Sequence, residues 1–112
     1  MAYDEALANR VRETLRDRHG ITEKKMFGGI AFMLQGHMFV GISDGSLMAR
    51  VGPVNYERAL TMDNVREMDF TGKPMRGYIF VGPDGLKSRV ALKRWVRLCA
   101  DFVSTLPQKR AK

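Results

Sequence analysis

Between Lys24 and Gly52 the chain alternates short apolar runs with glycines: KKMFGGIAFML, then HMFVGIS, then SLMARVG. Runs this short, bounded by turn residues, read as strands and not as helix. The links between them, Gln35-Gly36 and Asp44-Gly45, are tight-turn dipeptides, Asp-Gly being a preferred two-residue hairpin turn. A chain with this stretch at its centre has to build an antiparallel meander, and its remaining segments have to cover it.

The flanks supply the cover. Leu7, Val11 and Leu15 recur at i, i+4 and i+8, which predicts an amphipathic helix over about residues 4–18, stopped by His19-Gly20. Pro53 suits a first helical turn, and Tyr56, Ala59 and Leu60 predict a short helix ending near Met62. Residues 65–70 and 77–81 read as two further strands, and Gly82-Pro83-Asp84-Gly85 as a turn. A long helix follows over about 87–106, stopped before Pro107, with a frayed tail at 107–112. The expected fold is α+β, a two-layer sandwich in α-β3-α-β2-α order, with helices on a five-stranded, mainly antiparallel sheet. With 112 residues and no internal repeat or linker, residues 1–112 are expected to form one domain.

Composition narrows the function classes. Apolar residues make up 45% and charged residues 28%, which excludes general disorder and fibrous architectures. One cysteine, Cys99, excludes an intrachain disulfide and a cysteine-based zinc site. No apolar run is long enough to span a membrane, and the N-terminus lacks an apolar signal core, so a reduced cytoplasmic setting is expected. The net charge of +7 is local: residues 1–85 hold eleven basic and eleven acidic residues, whereas residues 86–112 hold eight basic residues and only Asp101. Such an excess suits an anionic partner, and equally a solvated face.

No constellation of residues reads as catalytic. Phe27-Gly28-Gly29-Ile30 is glycine-rich, but a phosphate cradle needs a helix after the glycines, and here a strand follows. The expectation is that the sheet bends there or that another backbone comes close. Cys99 falls among Trp95, Phe102 and Leu106 on the apolar side of the last helix, the position of an inert buried thiol. His19 and His37 lack the paired acidic ligands of a metal site. Asp63, Glu67 and Asp69 lie around Arg66 and read as a solvated turn. The chain is therefore expected to be no enzyme and to need no cofactor or metal.

Two surfaces remain as candidates. Strict strand alternation puts Phe27, Met33, Phe39 and Met48 on a sheet face that the helices do not cover, a Phe/Met patch suited to a protein partner or to a homodimer. In the last helix, Leu92, Trp95, Val96, Leu98, Cys99, Phe102, Val103 and Leu106 take one side. Lys87, Arg89, Lys93, Arg94 and Arg97 take the other, and only Val90 breaks the segregation. That basic side is the candidate for anion or nucleic-acid contact.

Lys25-Met26-Phe27-Gly28-Gly29 with the strand after it, Phe39-Val40-Gly41 in the next strand, Tyr78 and Trp95 together resemble the TfoX N-terminal domain, the family of the Sxy-type competence regulators. The resemblance spans about residues 3–106. It implies the same α-β3-α-β2-α layout and a bacterial, non-catalytic module that assists transcription or competence regulation by protein contact, the partner being a transcription regulator. It hands over no catalytic residues. Longer members carry a second, helical domain, so the chain is expected to be a stand-alone, single-domain member. The alternative is a weak nucleic-acid binder acting through the basic helix.

Overall fold

The computed structural model describes residues 4–26, 29–68 and 76–106. Along the chain these form α1 (Glu5–Thr14), β1 (Ile21–Met26), β2 (Gly29–Leu34), β3 (His37–Ser43), β4 (Ser46–Arg50) and α2 (Pro53–Leu60). They continue as β5 (Val65–Glu67), β6 (Tyr78–Val81), a 3-10 turn (Pro83–Leu86) and α3 (Arg89–Ser104). The fold is α+β, and all six strands join one open antiparallel sheet ordered β1-β2-β3-β4-β6-β5.

Six strands replace the expected five. The run at 24–34 is no single strand: β1 and β2 form an antiparallel pair from Ile21↔Leu34 to Met26↔Gly29. Thr22, Glu23, Lys24 and Lys25 are all exposed on this edge strand, so β1 carries no apolar alternation to announce it. At Gly29 the expectation of a close backbone holds, because a β-carbon there would stand 2.0 Å from the Ile42 carbonyl oxygen. The segment 65–70 is strand only through Glu67, and Asp69 and Phe70 lie outside the described residues.

Local chemistry explains most ends. Gln35 and Gly36 both take positive φ (54° and 85°), the requirement of a tight β2–β3 hairpin, and Asp44 (φ 52°) turns β3 into β4. Asp4 caps α1, its carboxylate accepting from the Leu7 amide at 3.1 Å, and Ser88 caps α3 by accepting from Ala91 at 3.0 Å. Gly52 enters α2 at φ 87°, where a β-carbon would strike the Phe102 ring at 2.6 Å. α1 stops at Thr14, short of residue 18, because the chain leaves helical geometry at Leu15.

One parity of the strands meets all three helices. Ile30, Phe32, Leu34, Val40, Ile42, Leu47, Ala49, Ile79 and Val81 pack with Leu7 and Val11 of α1, Tyr56 and Ala59 of α2, and Leu92, Trp95, Val96 and Cys99 of α3. The opposite parity holds a smaller cluster, Met48, Met68 and Phe80, with Tyr78 against it.

Candidate functional site

The Phe/Met patch is not an open surface. Phe39 and Met48 have no solvent exposure, Met33 is half-buried, and Phe27 lies outside the described residues. The register explains Phe39: Phe32 pairs with Val40 but Met33 with Met38, so β3 carries one extra residue, a bulge at Phe39. The bulge breaks strict alternation and sends both Phe39 and Val40 into the helix-covered core. Met48 does lie on the outer face, covered by Met68 and Phe80. Its methyl lies over Gly41, 2.5 Å from where a β-carbon would be.

The five basic candidates separate by position. Lys87 precedes α3 and pairs with Asp84 at 3.3 Å. Arg89, Lys93 and Arg97 follow each other at i, i+4 and i+8 and form one row along α3. Arg94 lies one step around the helix, closer to Val90 and Leu98. Arg89, Lys93, Arg94 and Arg97 are all exposed, and none forms an ion pair among the described residues.

α1 forms the second wall of this region. A cleft of about 320 Å³ lies between Arg10 and Glu13 on α1, Asp17 in the turn after it, and Arg89 and Lys93 on α3. It continues into one of about 300 Å³ between Asp17, Arg18, Lys93 and Arg97, floored by Val96 and Ala100. On the other side of the basic row, Val90, Arg94, Leu98 and Asp101 border an open cleft of about 440 Å³. Lys93 and Arg97 stand at the crest between the two sides. Arg10 fixes the geometry, its guanidinium donating to the carbonyls of Leu86 at 2.6 Å and Lys87 at 3.3 Å. Two charge-assisted bonds thus hold α1 against the chain that leads into α3.

The sequence reading missed Arg10 and Asp17, and it placed Leu98 wholly on the core side of α3, whereas Leu98 is half-buried and borders the open cleft beside Val90. For Arg10 the only local signal is its place beside the Leu7/Val11 stripe of α1. For Val90 the signal was its failure to fit the helical segregation; it is 66% exposed.

Elsewhere the described residues hold little reactive chemistry. Cys99 is buried in the core, and burial pushes its thiol far above its ordinary value, only partly countered by a backbone hydrogen bond from Arg50. It therefore stays a thiol at neutral pH. Among the described residues no three His, Cys, Asp or Glu side chains cluster to hold a metal, and no helix is long and apolar enough to cross a membrane. The α1–α3 region offers exposed cations, a few carboxylates and exposed apolar carbon on a helical support.

Comparison with curated proteins and with solved structures finds no match in either. The model of one family, the TfoX N-terminal domain, matches residues 13–103, from the end of α1 almost to the end of α3, and the chain belongs to that family.

Proposed function

We propose that the chain is a non-catalytic interaction module that assists transcription or competence regulation through protein contact, with the basic side of α3 as its contact surface. The observation that carries this reading is the division of α3: Leu92, Trp95, Val96, Cys99, Ala100 and Val103 are spent on the core, while Arg89, Lys93, Arg94 and Arg97 stand in solvent without ion-pair partners among the described residues. Membership in the TfoX N-terminal family supports a regulatory role. A cytoplasmic setting fits a chain whose only cysteine is buried as a free thiol.

The test is affinity capture from bacterial lysate before and after nuclease treatment, with the wild-type chain and a Lys93→Glu/Arg97→Glu variant as baits. The expected result is a transcription regulator retained by the wild type and lost by the variant. Capture that disappears once nucleic acid is digested contradicts the protein-contact reading.

A second reading has its own support in the same four cations. Phosphate contact by exposed lysine and arginine gives weak, salt-dependent binding, on the order of 10⁻⁴–10⁻⁶ M at physiological salt. Anisotropy with random-sequence duplex DNA over a salt series measures it. Binding that is sequence-dependent and survives high salt contradicts a purely electrostatic role.

A further inference from the structure

We infer that the outer face of α3 docks an acidic, amphipathic protein helix, with Val90 and Leu98 as its apolar anchors and Lys93, Arg94 and Arg97 as its carboxylate partners. The inference rests on the protein-contact reading above and supplies the chemistry of the partner.

Val90 is the starting point. A β-branched residue at a solvent-facing helix position is stiff at χ1 and a poorer helix former than the straight-chain residues around it. At 66% exposure it adds little to the core. A lone exposed apolar residue is ordinary. This one is not alone: Leu98, half-buried and packed against the edge of the core, borders the same open cleft two turns along α3. Eight residues separate the two, about 12 Å of helix rise, close to the i to i+7 spacing of anchors on an amphipathic helix laid alongside.

Charge selects the sign of that helix. Lys93, Arg94 and Arg97 border the cleft and face only Asp101 within it. None of the three cations has an ion-pair partner among the described residues. Carboxylates flanking the partner's apolar stripe would meet them, with arginine able to grip a carboxylate through two parallel bonds.

The same cleft fits a nucleic-acid backbone less well. Phosphates would gain nothing from Val90 and Leu98, and Asp101 would stand as a fixed negative charge among the cations. A protein helix covers the apolar carbon and can offer Asp101 a donor.

The test is fluorescence anisotropy with a labelled synthetic helix of about 18 residues, leucines at i, i+4 and i+7 flanked by glutamates. The same composition in scrambled order and a random-sequence duplex of about 20 base pairs serve as comparisons. The ordered peptide is expected to bind at least tenfold more tightly than the scrambled one. Val90→Asp and Arg94→Glu are each expected to weaken it at least tenfold while far-UV circular dichroism and melting stay unchanged, both positions being exposed. Equal binding of the scrambled peptide, indifference to Val90→Asp, or tighter binding of the duplex overturns the proposal. If the ordered peptide fails while capture still retains a regulator after nuclease, only this inference falls; if capture fails as well, the protein-contact reading falls with it.

Discussion

The two faces of the sheet are buried by different means. The face toward the helices is filled by branched and aromatic side chains such as Phe32, Val40, Ile42 and Leu47, closed by three helices. The other face is built from small residues and flexible ones: Ala31 opposes Gly41, Met48 lies across the gap they leave, and Met68 and Phe80 complete the cover. Arg66 stacks its guanidinium over Phe80, 4.4 Å from the ring centre. Among the described residues, one face is sealed by helices and the other by side chains of the strands together with Met68 just after β5. The lesson is that a sheet face on which no described helix packs need not be a contact surface.

Phe39→Asp is the most severe way to break that comparison. The residue is wholly buried in the helix-covered core, so a charged side chain there has neither water nor a partner. The expected outcome is loss of cooperative unfolding and of near-UV circular dichroism. A folded variant would return Phe39 to the surface and undo the bulge argument.

The faces are then ranked by a matched pair. Phe32→Ala should cost about 3–5 kcal/mol, because rigid helices cannot collapse into the cavity, and Met48→Ala about 2–3 kcal/mol, because flexible neighbours can close part of the gap. Urea denaturation of both variants measures the difference. An equal loss would show that the outer face is packed as rigidly as the inner one.

A third prediction sharpens the inner face through pH. Burial raises the Cys99 thiol above its ordinary value of 9.0, so above that pH the unfolded chain releases the proton while the folded chain keeps it. The folded state then binds more protons, and stability falls as pH rises, by up to about 1.4 kcal/mol per unit from this one group. Cys99→Ala should start less stable but lose stability less steeply between pH 9 and 11. Parallel slopes for the two proteins would refute the assignment.

The smallest effect belongs to the rim. Arg12 grips Glu23 of β1 through two hydrogen bonds of 2.8 Å, which hold the carboxyl below its ordinary value despite partial desolvation. The lowered value means that this contribution is present above the ordinary 4.5 and vanishes as pH falls through the folded-state value. The pair is more than one-third exposed, so solvent screening limits it to under about 1 kcal/mol. Glu23→Gln should flatten the acid limb of a melting-temperature profile by that small amount.

What the sequence made legible was local. The Gln35-Gly36 and Asp44-Gly45 turns, the proline entry to α2 and the division of α3 are each encoded within a few neighbouring residues. β1 was hidden because Thr22 through Lys25 are polar on an edge, and the strand exists by pairing with β2. The Phe39 bulge left no local mark, since β3 reads as regular until its register with β2 is known. For the candidate site, the basic residues of α3 were legible from helical periodicity. The α1 wall was not, because it comes from packing two segments at opposite ends of the chain.

That packing has a consequence for synthesis. The carbonyls that Arg10 grips belong to Leu86 and Lys87, 76 and 77 residues further on. Helix α1 is synthesised long before its anchor, and the sheet has no α3 to close its inner face until residues 89–104 are made. The nascent chain therefore carries Leu7, Val11 and the growing meander uncovered until α3 is made, and closure of this core waits on α3.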